Sequence, residues 1–191
     1  MYAWKFLREF ITSPVAIGAV APSGRPLATM VTEMVHVPSA STVVEFGPGT
    51  GAITEVILER LRPDAVFFAL EINPDFVKLL RERFAGAKVY QDSAANTRTY
   101  LAQYGLRHCD AIVSGLPWTN FEEELQDELL NAAHDALRPG GVIATYVYLQ
   151  SLALPSAIRF RRKLRERFAR AGVTEVVWRN LPPARVLWAE K

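Results

Sequence analysis

Three glycines at alternate positions carry the strongest chemical signal in this chain. Gly47, Gly49 and Gly51 directly follow the β-branched and aromatic run 43–46, and a helical pattern begins at Ala52. Glycine has no Cβ and tolerates positive φ, so this spacing predicts a loop whose backbone comes very close to another group. At the end of a parallel strand that group is usually a nucleotide-like cofactor. The spacing also fits a dinucleotide-binding fingerprint, and a tight turn without a ligand is the simplest alternative.

Two carboxylates follow the next two predicted strands. Glu71 ends the apolar run 66–70, twenty residues after Gly51. That spacing suits an acid that accepts hydrogen bonds from both hydroxyls of a ribose. Asp92 follows the run 87–90, where a carboxylate can accept a hydrogen bond from an exocyclic amine. The glycine loop and the two acids together predict a nucleoside-binding edge.

The elements that must position these residues alternate along the chain. Strands are predicted at 43–46, 66–70, 87–90, 110–113 and 142–148, with helices between them, and 173–178 and 186–189 form a closing hairpin. This alternation predicts a mainly parallel sheet with helices on both faces.

The length of 191 residues predicts a single domain. Helices at 3–12 and 27–35 belong to an N-terminal helical extension over residues 1–42. Residues 43–191 then form the core that carries the predicted cofactor site.

The order of these motifs resembles the class I methyltransferases that use S-adenosylmethionine (SAM). The resemblance implies a Rossmann-like α/β fold with a mainly parallel seven-stranded sheet. In that family the glycine loop passes under the methionine part, the acid after the second strand takes the ribose and the acid after the third takes the adenine. The residues that the resemblance assigns to the cofactor are Ser23, Glu45, Gly47, Pro48, Gly49, Gly51, Glu71, Ile72, Asp92, Ser93 and Ser114.

Several separated motifs are similar to the bacterial phospholipid N-methyltransferases, relatives of the ribosomal RNA adenine dimethyltransferases. These motifs are 6–8, 13–14, 18–24, 45–51, 114–117 and 180–184. The resemblance implies stepwise methylation of phosphatidylethanolamine toward phosphatidylcholine. It places the acceptor against Gly115, Leu116, Pro117 and Trp118. Gly115 stands where adenine methyltransferases carry Asn or Asp, which makes a purine acceptor less favoured, and Trp118 replaces an expected aliphatic residue.

Tyr146 and Tyr148 are the candidate catalytic residues. Both lie on one face of the fifth strand by its period of two. The Tyr148 hydroxyl is placed to orient an amine, and its ring is suited to hold methylated, cationic forms by a cation–π contact. The alternative is that both rings only pack on the sheet.

Charge is concentrated in one predicted helix. The net charge is +2, yet residues 159–170 hold seven basic residues and one acid, a local +6, so the remainder carries 2 − 6 = −4. Such a cluster predicts a polyanionic partner, either an anionic membrane surface with phospholipid headgroups or RNA. We favour the membrane because aromatic residues of the first helix suit an interfacial role. The predicted membrane-binding residues are Trp4, Phe6, Phe10, Arg161, Arg162 and Arg165.

Other features exclude further classes. Cys109 is alone, so it forms no intramolecular disulfide, and its position in an apolar strand predicts a buried thiol. The three histidines lack metal-ligand spacing, so no metal is expected. No secretory signal or membrane span is recognisable, which predicts a cytoplasmic protein on the inner face of the cell membrane. The sequence leaves the oligomeric state open, and we favour a monomer. An RNA methyltransferase, a small-amine methyltransferase and a non-catalytic SAM-binding adaptor remain alternatives.

Overall fold

A computed structural model of the chain describes residues 24–191. The predicted helix 3–12, the predicted cofactor residue Ser23 and the membrane candidates Trp4, Phe6 and Phe10 lie outside the described residues.

The described chain is built on a seven-stranded sheet, and this confirms the predicted architecture. The strand order is β3-β2-β1-β4-β5-β7-β6; β1 to β5 are parallel, while β7 runs antiparallel to both β5 and β6. The strands are β1 Thr42–Phe46, β2 Val66–Glu71, β3 Lys88–Gln91, β4 Cys109–Ser114, β5 Leu137–Tyr148, β6 Arg170–Val173 and β7 Ala184–Glu190.

Six α-helices cover the two faces of the sheet in the described chain. They are α1 Arg25–Met34, α2 Ala52–Arg60, α3 Pro74–Arg83, α4 Thr97–Gln103, α5 Glu123–Ala136 and α6 Pro155–Arg167. Apolar residues of α1, α2 and α3 form a core on one face, and those of α4, α5 and α6 form a core on the other. The central strand β1 is buried at every position because it is covered on both faces.

The closing hairpin differs from its predicted position. Its first strand is Arg170–Val173 rather than 173–178, and it pairs with 187–190. Gly172 faces the ring of Trp188 so closely that a Cβ there would lie 2.7 Å from it. This register therefore needs glycine at position 172, and the β-branched run that follows makes only one bridge, between Val177 and Ala184.

β5 also begins earlier than predicted. Leu137 pairs with Cys109 and Val142 pairs with Ala111, so the intervening Pro-Gly-Gly turn forms a bulge. Gly140 supplies the positive φ of 74° at that turn. Cys109 is buried, as predicted.

The strand order reverses between β1 and β4, which are neighbours although two strands separate them in sequence. Ligands of such sheets bind outside the carboxyl ends of the strands at this reversal. The loops after β1, β2, β3 and β4 gather there. No helix among residues 24–191 is long and apolar enough to cross a membrane.

Candidate functional site

The glycine loop lies at the reversal point and is packed against the turn after β4. Gly115 donates its backbone N–H to the Phe46 carbonyl oxygen at 2.8 Å. A Cβ on Gly115 would lie 2.5 Å from the Gly47 carbonyl oxygen, and a Cβ on Gly47 would lie 2.6 Å from Leu116 Cδ2. No side chain fits between the two loops. Glycine at position 115 is therefore required by this contact, and the Asn or Asp of adenine methyltransferases would not fit in this backbone.

Glu71 is directed at the glycine loop. Its side chain is almost fully buried, with Oε2 accepting from the Gly49 N–H at 3.1 Å and Oε1 accepting from the Asn73 N–H at 2.9 Å. Burial raises the pKa of Glu71, and these two N–H donors oppose part of that rise. The carboxylate thus lies between the first and second loops, where the sequence predicted an acceptor for ribose hydroxyls.

Asp92 is held by three donors of its own segment. Oδ1 accepts from the Ser93 N–H at 2.7 Å and from Asn96 Nδ2 at 2.9 Å, while Oδ2 accepts from the Tyr100 hydroxyl at 2.9 Å. The Tyr100 ring lies 4.3 Å from that of Tyr90, which forms an aromatic surface beside the carboxylate. An adenine amine can still donate to Oδ2, because this oxygen has two lone pairs and, among residues 24–191, accepts only the Tyr100 hydroxyl.

Sequence reasoning missed Tyr100 and Asn96. Both lie in the turn and helix that follow Asp92, and neither belongs to a recognisable motif. Only their hydrogen bonds to the carboxylate reveal that they orient it.

Glu45 is the one charged side chain in β1. It is 1% exposed and accepts a hydrogen bond from Thr54 Oγ at 2.8 Å, which ties β1 to α2 behind the glycine loop. Burial raises the pKa of Glu45 to about 8, the Thr54 hydrogen bond opposes this rise, and the charge of Glu71 adds to it. Glu45 is therefore largely protonated at neutral pH and supports the loop as a neutral acid.

Two predicted site residues after β4 have other roles. The side chain of Trp118 is 1% exposed and stacks on Phe160 at 4.9 Å, so the prediction that its ring contacts the acceptor is wrong. Its Nε1 donates to Ser114 Oγ at 3.0 Å, and the Leu116 N–H donates to the same oxygen at 3.3 Å. The Ser114 hydroxyl is thus buried within the turn, and it fixes the turn's shape rather than facing a cofactor.

Tyr146 and Tyr148 lie near the carboxyl end of β5, on the face that α1 covers. Their rings meet edge to face with centroids 5.7 Å apart, and both side chains are half-buried. Burial is the main cause that raises the pKa of Tyr148, and the neighbouring Tyr146 adds to this rise. A phenol with a raised pKa stays protonated, so Tyr148 is suited to hydrogen bonding and cation–π contact but not to general-base catalysis.

Asn180 links three segments at the same edge. Its Oδ1 accepts from the Gly24 N–H at 2.7 Å, and its Nδ2 donates to the Pro182 carbonyl at 2.6 Å. The Leu149 N–H, just beyond β5, donates to the Pro183 carbonyl at 3.0 Å. The 180–184 motif therefore joins the start of α1 to the end of β5.

The structure brings the glycine loop, Glu71, Asp92 and Ser93 to one edge and leaves Trp118 and Ser114 in the interior. In the part of the chain that the structure describes, no group of three or more His, Cys, Asp and Glu side chains is placed to hold a metal ion.

Trp118→Ala should lower the free energy of unfolding by about 3–5 kcal/mol, because it empties a packed position in the core. Trp178→Ala is the matched control, since Trp178 is 70% exposed and its loss should change stability by less than about 0.5 kcal/mol. Urea unfolding of both variants measures the difference. Equally small effects would show that Trp118 does not support the core.

Glu45→Gln should remove a pH dependence of stability in the cofactor-free protein. The folded-state pKa of Glu45, about 8, lies above its unfolded value, so the stabilisation is complete at low pH and is lost as pH rises through 8. Between pH 6 and 9 the wild type should lose about 2 kcal/mol relative to Glu45→Gln. Urea unfolding at each pH tests this, and parallel profiles for the two proteins would contradict it.

Comparison with known proteins agrees with this geometry. Residues 44–143 match the family model described as a methyltransferase domain. The chain is 36% identical over 186 residues to the ornithine lipid N-methyltransferase of Singulisphaera acidiphila, covering 94% of this chain and 91% of that protein. It is 30% identical over 123 residues to the ribosomal RNA small subunit methyltransferase A of Burkholderia lata, which covers 63% of this chain and 44% of that protein.

Among solved structures, the O-methyltransferase TomG from Streptomyces achromogenes, in complex with SAM, shares the fold. Its TM-score is 0.69 at 16% identity, over 100% of this chain and 88% of that one. The methyltransferase domain match, the near full-length relative and the loop geometry lead to one conclusion: this chain belongs to the class I SAM-dependent methyltransferases.

Proposed function

We propose that this protein transfers methyl groups from SAM to the amine nitrogen of a membrane lipid headgroup. The observation that carries the proposal is the 36% identity to an ornithine lipid N-methyltransferase over nearly the full length of both chains. Phosphatidylethanolamine, which the sequence motifs favour, and ornithine lipid are the two acceptors to be compared.

The cofactor residues are those of the carboxyl edge. SAM supplies an activated methyl group. Glu71 is placed for the ribose hydroxyls, Asp92 and the aromatic surface of Tyr90 and Tyr100 for the adenine, and the backbone of the glycine loop for the remainder. The fold already fixes these acceptors and surfaces, so these residues need little further ordering when SAM binds.

The acceptor region suits an aliphatic amine. Gly115 offers only backbone groups, because its contact with Gly47 leaves no room for a side chain. Tyr146 and Tyr148 supply aromatic faces on which a methylated ammonium is stabilised. Since Tyr148 stays protonated, the proton of the acceptor ammonium is lost to water or to another base rather than to this residue.

The charges of α6 divide into two rows. Arg159, Lys163 and Arg167 form ion pairs with Glu123 and Asp127 of α5, so this row holds the two helices together. A second row holds Arg161, Arg162 and Arg165. Arg161 donates to the Leu152 carbonyl, Arg162 lies 3.5 Å from the exposed Glu166, and Arg165 has no ion-pair partner among residues 24–191.

The second row is the proposed contact with anionic lipid. Arg162 and Arg165 are exposed and Arg161 is partly buried, so the row can attract an anionic surface without any rearrangement of the fold. RNA would attract the same row, so binding to each is measured separately.

The proposed function is tested with purified protein, SAM and vesicles of phosphatidylglycerol that contain either phosphatidylethanolamine or ornithine lipid. Lipid mass spectrometry should show steps of one to three methyl groups on at least one amino lipid. Glu71→Gln is the control; it should weaken SAM binding at least about tenfold by calorimetry, because it removes an acceptor that carries charge. SAM binding by the wild type without any mass shift on either lipid would overturn the proposal, and methylation of RNA instead would assign the alternative.

The triple change Arg161→Glu, Arg162→Glu and Arg165→Glu should weaken binding to anionic vesicles at least about a hundredfold at low salt, since each basic residue near such a surface contributes about 1 kcal/mol. Vesicle sedimentation measures the loss. The matched control reverses Lys78, Lys88 and Arg98, which are exposed on α3, β3 and α4 and carry the same total charge. Equal losses in the two triple variants would show that net charge alone, not this row, governs binding.

A further inference from the structure

The loop between β6 and β7 exposes two large apolar side chains. We call residues 177–183 the tip loop. Trp178 is 70% exposed and Leu181 is 75% exposed, the highest values for large hydrophobic residues in the described chain. Between them lie Arg179, also exposed, and Asn180, which is buried.

The tip loop is fixed rather than loose. Val177 is buried and donates its N–H to the Ala184 carbonyl at 2.8 Å, and the Asn180 N–H returns to the Val177 carbonyl at 3.2 Å. The Asn180 side chain is hydrogen-bonded to Gly24 and Pro182. These hydrogen bonds hold Trp178 and Leu181 in contact with solvent. Exposed apolar area of this kind is typical of a surface that binds another molecule.

The tip loop borders the acceptor region. Ala184, which follows the loop, pairs with Tyr148, and Pro183 accepts the N–H of Leu149. The backbone of the tip loop therefore adjoins the end of the strand that carries the tyrosine pair.

The composition of the tip loop fits one occupant. Tryptophan favours the level of lipid headgroups, where its amphipathic ring faces both water and hydrocarbon. An exposed arginine between two apolar side chains adds attraction to anionic headgroups. A basic residue within the apolar pair matches the surface of a bilayer, where apolar side chains enter the acyl boundary and a cation meets the headgroups.

We propose that Trp178 and Leu181 insert into the acyl boundary of a lipid bilayer while Arg179 meets the headgroup phosphates, so that the acceptor amine enters beside Tyr148 without leaving the membrane. This inference rests on the proposed lipid acceptor. In this arrangement the tip loop inserts into the acyl region of the bilayer, and the arginine row of α6 supplies the long-range electrostatic attraction.

The test places an environment-sensitive fluorophore at the tip. Leu181→Cys is labelled with nitrobenzoxadiazole; the native Cys109 is buried, and burial raises the pKa of its thiol, so it does not compete for the reagent. Glu82→Cys, on the exposed end of α3, is the matched control. On vesicles of phosphatidylglycerol and phosphatidylethanolamine, the label at 181 should shift to the blue and be quenched by nitroxide-bearing acyl chains, while the label at 82 should not change.

Trp178→Ser with Leu181→Ser should lower the vesicle partition coefficient about tenfold or more, since two apolar side chains no longer leave water. SAM affinity by calorimetry serves as the check on folding.

Two results would overturn the inference. One is vesicle binding and lipid methylation with no change of the label at 181, which would retain the proposed function and place the membrane contact elsewhere. The other is a label at 181 that is already shifted without lipid, which would show that residues 1–23 or a second copy of the chain cover the tip loop. Absence of vesicle methylation by the wild type tests the proposed function and is read from the separate lipid assay.

Discussion

The packing contact on which the candidate site depends lies between two loops, where the Gly47 carbonyl oxygen touches Gly115. β1 and β4 are adjacent at the point where the strand order reverses, so the loops that leave them must share the same space. They fit only because neither residue has a side chain. The backbone of these two packed loops forms one side of the candidate cofactor site. The contact also removes the side-chain acceptor that an adenine amine would use, so one packing requirement shapes both cofactor and acceptor preference.

Burial determines the protonation of the groups around these loops. Glu45 lies behind the glycine loop and is held neutral near pH 7, whereas Glu71 reaches the loop from β2 and receives two backbone N–H groups. Two carboxyls in one low-dielectric region would repel each other if both were charged. Keeping Glu45 neutral removes this repulsion from Glu71. Tyr148 follows the same logic, because burial raises its pKa and keeps it a phenol.

The basic helix α6 shows how one element serves several purposes. Its apolar stripe packs on the sheet, one row of cations pairs with α5, and another row is directed outward. The tip loop adds exposed apolar side chains elsewhere on the surface. Under the proposed lipid function, the arginine row supplies charge attraction and the tip loop supplies shallow insertion.

The sequence, with the family resemblance that its motifs carry, was sufficient for the mainly parallel seven-stranded architecture and for the positions of the glycine loop, Glu71 and Asp92. Those features are local: a strand period, a glycine spacing and an acid at a strand end each leave a mark within a few residues. Tertiary structure decided which contacts four further side chains make, those of Trp118, Ser114, Tyr100 and Asn180. Trp118 follows a motif that suggested a ligand contact, yet Phe160, distant in sequence, covers its ring. Asn180 joins the last loop to α1 through Gly24, 156 residues away. Whether a side chain meets a ligand or the core depends on which distant residue fills the space beside it, and that information lies in packing rather than in local sequence.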